Sequence, residues 1–122
     1  MPAGDASEFF RRGHMLSIGE CAAADGSFLE RDLAREIGKS RPFASVVIKK
    51  LRKEGLVVGK TYGPFRISEE GLGLLRDLQK AKRRLLRLFA PLRGFSKEEK
   101  ESLALYALVS GRFPAAESLL AP

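Results

Sequence analysis

Apolar residues recur along this chain every three to four positions, and the pattern breaks at glycines, prolines and short polar clusters. Over 8–23, Phe9, Phe10, Met15, Leu16, Ile18, Cys21 and Ala22 make a helical stripe, with Asp5 or Ser7 as its cap. Asp25-Gly26 predicts a turn, and Ser27-Phe28 is long enough for one short strand. Residues 30–37 put Leu33, Ala34 and Ile37 on one helix face, which Gly38 ends as the left-handed residue. Ser40 or Arg41 then caps a third helix running to about Glu54, with Pro42 in its first turn, where a missing N–H is harmless. In this helix Ala44, Val47, Ile48 and Leu51 fall at i, i+3, i+4 and i+7 and predict a buried face. Arg41, Phe43, Ser45, Val46, Lys49, Lys50, Arg52 and Lys53 are left for the opposite face.

Downstream, LVVG and FRIS flank a loop containing Gly63-Pro64, the pattern of a β-hairpin. Ser68 followed by Glu69 and Glu70 is a helix start, since the hydroxyl accepts an orphan amide and the acids favour the positive end of the helix dipole. The helix is expected over about 69–90, with Leu72, Leu75, Leu78, Leu85 and Leu88 or Phe89 along its apolar edge. Ser96-Lys97-Glu98-Glu99 reads as a capping box. The helix behind it is apolar on nearly every side from Leu103 to Val109, which calls for cover, and a second subunit would supply it. Gly111 and Pro114 break that helix, with a last turn over 115–120. The expected class is mainly α with a small β-hairpin, α+β.

Charge sharpens this picture. The net charge is +7 over 122 residues, but it is not spread evenly. Residues 39–66 carry Lys39, Arg41, Lys49, Lys50, Arg52, Lys53, Lys60 and Arg66 against Glu54 alone. Residues 76–93 carry Arg76, Lys80, Lys82, Arg83, Arg84, Arg87 and Arg93 against Asp77 alone. The remaining stretches are each net acidic. Basic charge concentrated on one or two elements is the footprint of a polyanionic partner, because neutralising phosphates releases counterions. The second block has two readings, a phosphate-contacting surface or the solvated back of a dimer helix, and the sequence favours the second.

Little else in the chain carries chemistry. One cysteine, Cys21, and one histidine, His14, supply neither a disulfide, nor a four-ligand zinc site, nor a nucleophile with its base. No metal, no cofactor and no enzymatic activity are therefore expected. Cys21 reads as a small buried apolar residue, with nothing basic beside it to make a reactive thiolate. No apolar run reaches the roughly 20 residues that span a bilayer, and the N-terminus has no apolar signal core. The expected location is the cytoplasm of a prokaryote, on the nucleoid, with no membrane partner. Asn is absent and Gln79 is the single glutamine, a bias that either a thermophilic source or a GC-rich genome produces.

The order helix, short strand, helix, tight Gly38-Lys39-Ser40 turn, helix, hairpin, long helix resembles the winged helix-turn-helix transcription regulators, most closely the MarR type. The matching stretch is DLAREIGKSRPFASVVIKKLRKEGLV at 32–57, and FRISEEGLGLLRDL and FSKEEKESLALYAL are similar to the family's wing return and its C-terminal helices. The resemblance implies an N-terminal helix and winged helix-turn-helix core over 1–67 and a dimerisation region over 68–122 within one domain. It implies a homodimer on double-stranded DNA, with helix 41–54 in the major groove and the wing at 56–67 on flanking DNA.

The DNA-contacting residues would be Lys39, Ser40, Arg41, Phe43, Ser45, Lys49, Lys50 and Arg52, with Lys60, Thr61, Tyr62 and Arg66 from the wing. Phe43 either meets a thymine methyl or folds back onto the wing, packing being preferred. Leu78, Leu85, Phe89, Leu103, Tyr106 and Leu108 would build the dimer contact. A small-molecule effector is left open. So are two other partnerships for the same fold: an architectural protein that binds mainly phosphates, and a protein-interaction module.

Overall fold

The computed structural model describes residues 6–60 and 63–110. The elements run α1 (Ala6–Cys21), β1 (Ser27–Phe28), α2 (Glu30–Ile37), α3 (Arg41–Lys53), β2 (Val57–Val58), β3 (Phe65–Ile67), α4 (Glu69–Phe89) and α5 (Lys97–Ser110). The protein is thus mostly helical with a small antiparallel sheet, an α+β arrangement. Two compact units divide it: His14–Leu75, and Met1–Gly13 together with Arg76–Pro122, the divisions falling inside α1 and α4. The last turn expected over 115–120 lies outside the described residues.

In the unit His14–Leu75, local chemistry fixes the element ends. α1 stops at Cys21 rather than Ala23, because the Ala23 amide is taken by the Ser27 carbonyl at 2.8 Å and a turn closes from Gly26 to Ala23. The Asp25 carboxylate holds that turn, accepting from the Ser27 amide at 3.0 Å and the Ser27 hydroxyl at 2.6 Å. Gly38 ends α2 at φ 67°; its amide donates to Arg35 and the Lys39 amide to Ala34, the paired bonds of a left-handed helix stop. Ser40, not Arg41, caps α3: its Oγ accepts from the Phe43 amide at 3.3 Å.

The sheet is ordered β1-β3-β2, with Phe28 opposite Phe65 and Val57 opposite Ile67. The Phe28 and Phe65 rings lie 5.8 Å apart and pin the short strand β1. Met15, Ile18, Phe28, Leu33, Val47, Ile48, Leu51, Leu56, Val57, Phe65 and Ile67 form the unit's interior. The α3–β2 corner is tied to the start of α4 through Ser68. Its hydroxyl donates to the Gly55 carbonyl at 2.6 Å and accepts from the Gly71 amide at 3.0 Å. Gly71 has no side chain to spare, since a Cβ there would run into the Leu56 carbonyl.

In the other unit, Leu78, Ala81, Leu85, Ala104, Ala107, Leu108 and Val109 are buried. Arg12 is buried with them, a residue that the sequence pattern does not single out: its Nη1 donates to the Leu108 carbonyl at 2.9 Å and its Nε pairs with Glu8 at 3.2 Å. The capping box forms as expected. The Glu99 amide donates to Ser96 Oγ at 3.1 Å and the Ser96 amide to Glu99 at 3.0 Å, which holds the Glu99 carboxyl below the usual carboxylate range.

Candidate nucleic-acid interface

The basic candidates of the first block gather on and beside α3. Ala44, Val47, Ile48 and Leu51 point inward, at 2 % exposure or less. At 3.6 residues per turn the most outward ridge is then Pro42, Val46, Lys49 and Lys53. Ser45, Arg41 and Arg52 flank it on one side, and Lys50 and Phe43 on the other. All are exposed except Arg52, which is partly buried. No acidic residue lies within Arg41–Lys53. Three positions of the ridge, Pro42, Val46 and Lys53, are left out of the expected contact set. Val46, 60 % exposed, is at its centre, and Lys53 extends it. Their spacing from Lys49, three back and four on, carried the signal in the sequence.

Three candidates have partners that define their roles. Arg41, with 69 % of its side chain exposed, pairs with Glu30 of α2 at 3.5 Å, an exposed ion pair that a phosphate could replace. Arg52 Nη1 donates to the Gly59 carbonyl at 3.0 Å, so it braces α3 against the loop that follows β2. Phe43 is 41 % exposed and turns its edge to His14 of α1, centroids 6.1 Å apart at 65°. Phe43 therefore has a packing partner in His14 of α1. Partial burial lowers the pKa of His14, because an imidazolium would lose hydration there.

Lys39, Ser40, Lys60 and Arg66 are exposed. Arg66 on β3 is near enough to Asp25 to help lower that carboxyl, after the hydrogen bonds from Ser27. Thr61 and Tyr62 lie outside the described residues. Glycines at 55, 59 and 63 all have positive φ, and the Gly63–Pro64 peptide is cis.

The second basic block lines α4, where Arg76, Lys80, Arg83, Arg84, Arg87 and, beyond the helix, Arg93 are exposed, and Lys82 is partly buried. Of the six expected dimer residues, Leu78, Leu85 and Leu108 are already buried by the chain at 3 % exposure or less. Phe89 and Leu103 are partly exposed and Tyr106 is 50 % exposed. Leu88, Leu92, Phe95 and Leu105 are also exposed, so the surface open to a partner has a different membership from the one the sequence pattern names. A cleft of about 380 Å³ lies among Phe95, Glu98, Glu99, Ser102 and Leu103.

A polar cleft of about 300 Å³ is lined by Cys21, Asp32, Arg35 and Glu36. Burial first, then the Glu36 and Asp32 carboxylates, push the Cys21 thiol up to about 11, so it is a poor nucleophile at neutral pH. Among the described residues no group of three or more His, Cys, Asp or Glu is placed to hold a metal ion. No helix among them is long and apolar enough to cross a membrane.

No family model, no curated protein and no solved structure matches this chain.

Proposed function

We propose that this chain is a DNA-binding transcription regulator of the winged helix-turn-helix class, with α2 and α3 as its helix-turn-helix and the β2–β3 hairpin as its wing. The observation that carries this reading is the outward face of α3. It holds Arg41, Lys49, Lys50 and Lys53 with Ser45 and Val46 between them and no acid within the helix. Cations on such a face suit phosphates and guanine acceptors, and a short hydroxyl and an exposed methyl-bearing side chain suit base edges and thymine methyls. The β1-β3-β2 order supports the reading too, because it anchors the β2–β3 pair to the rest of the unit, and Arg52 ties the end of α3 to Gly59 just after β2. In this reading Arg52 positions the wing, and Lys60 and Arg66 meet flanking backbone.

The exposed Tyr106, Leu105, Leu88 and Phe95 support a homodimer. Two recognition helices would then sit roughly 34–36 Å apart on a pseudo-palindrome. The test is selection from a random duplex pool at ~150 mM salt, with Lys49→Glu/Lys50→Glu as the paired variant. Enrichment of a palindromic site is expected. Reversing two phosphate-range charges is expected to weaken binding by about a hundredfold or more. Binding without enrichment would replace this reading with an architectural one, and no binding at low salt would overturn both in favour of a protein partner.

A further inference from the structure

The cations of α4 fall into a pattern that solvation does not require. Arg76, Lys80, Arg83 and Arg87 are spaced i, i+4, i+7 and i+11, and all four are exposed. They form a straight ridge on the side of the helix opposite the buried Leu78 and Leu85. Arg84 adjoins the ridge and is exposed as well. At 1.5 Å per residue the ridge is about 16 Å long, a distance over which duplex DNA presents about ten negative charges.

Like charges three or four apart on a helix repel, and helices that merely face water relieve this by interspersing acids. This chain does so elsewhere. In α1, Glu8 pairs with Arg11 at 2.7 Å and with Arg12 at 3.2 Å. In α2, Glu30, Asp32 and Glu36 alternate with Arg31 and Arg35, and in α5 Lys97 and Lys100 stand among three glutamates. Along α4 from Arg76 onward one acid, Asp77, stands against six cations. Most of these are arginines, whose planar guanidinium takes two phosphate oxygens at once.

We infer that the Arg76–Lys80–Arg83–Arg87 ridge of α4 is a second duplex-DNA contact, which binds phosphates without reading bases. It rests on the reading of the chain as a duplex-binding protein, and it differs from the α3 face in having no short polar or methyl-bearing group between its cations. It adds affinity and salt dependence but no sequence preference.

The test is a salt titration of duplex binding by the full chain and by Lys80→Gln/Arg83→Gln/Arg87→Gln, with helix content checked by circular dichroism. Each lost phosphate contact removes about 0.9 from the slope of log K against log salt, so a reduction of two to three is expected, with the selected site unchanged. A second measurement needs no variant: acetylation of Lys80 in the native protein should be slowed by saturating duplex. An unchanged slope with undiminished acetylation would overturn the assignment and give the ridge to an acidic protein surface or to solvent. Lys49→Glu/Lys50→Glu, run in parallel, separates the two readings. If that variant binds normally while the α4 variant loses slope, the α3 reading fails and the α4 contact stands. If the native protein binds no duplex at any salt, both fall.

Discussion

Two helices hold half of this protein's lysines and arginines, and they hold them differently. On α3 the outward positions alternate in kind: Pro42, Ser45 and Val46 lie among Arg41, Lys49, Lys50 and Lys53. On α4 the outward ridge is a cation at every step from Arg76 to Arg87. A face that is to distinguish base pairs needs short groups close to the helix axis, where base edges can be reached, with the long cations around them. A face that meets only phosphates needs the cations alone. Net charge treats the two blocks as equals, whereas the groups between the charges separate them.

Base reading by α3 depends on a fixed frame, and loosening that frame should cost the most. Gly71 lets the first turn of α4 close on the Leu56 carbonyl just beyond α3, and Ser68 ties the same corner to Gly55. Gly71→Ala places a Cβ where the carbonyl already is. The clash is with backbone, so the corner must open, and a loss of about 2–4 kcal/mol is expected. Urea unfolding of the full chain measures it. A loss under about 0.5 kcal/mol would mean that the corner is pliable and that α3 owes its position to something else.

A milder change on α3 itself tests the difference between the two faces. Ser45→Ala removes a short polar group from the α3 face and no charge, so affinity for the selected site should fall by about 1 kcal/mol, with preference relaxed at one or two base pairs. The salt slope should not change. The α4 glutamine variant should do the reverse, keeping the preference and losing slope. If Ser45→Ala altered the slope, or left every base preference intact, the division of labour between the two helices would be wrong.

Much of the frame is legible in the sequence because it is local. The ends of α2 and α3 follow from Gly38, Ser40 and Gly55, whose backbone demands no distant contact can override. The buried face of α3 follows from Ala44, Val47, Ile48 and Leu51, since one apolar stripe on a polar helix leaves no choice of side. α5 is the opposite case. A helix apolar nearly all round shows no preferred face, so nothing local says that Ala104, Leu108 and Val109 turn inward while Leu105 and Tyr106 stay exposed. The buried Arg12 is equally illegible, because its partner, the Leu108 carbonyl, is 96 residues away in sequence. Val46 and Lys53 were legible in principle: their spacing from Lys49 places them on the outer ridge, whereas residue type alone marks one as core-like and the other as solvent charge.

The weakest dependence is on pH, and it too distinguishes the two helices. His14 sits edge-on to Phe43 in the first turn of α3, and burial lowers its pKa below 6.5. A histidine that is harder to protonate in the folded state than in the unfolded chain destabilises the fold as pH falls. Its contribution is constant above about pH 6.5, where both states are neutral, and stability is lost as pH drops from there toward the lower folded value. His14→Phe keeps a ring against Phe43 and removes the proton site, so the variant should lose less stability than the native protein between pH 7 and pH 5. Carboxylates that titrate lower, Asp25 and Glu99 among them, lie outside this window because their pKa values are held down. Lysine and arginine as residue types keep their charge throughout it. An acid-dependent loss of duplex affinity that His14→Phe abolishes is expected to act through the seating of α3, which His14 meets at Phe43. Equal pH dependence in the two proteins would show instead that protonation of His14 leaves the start of α3 undisturbed.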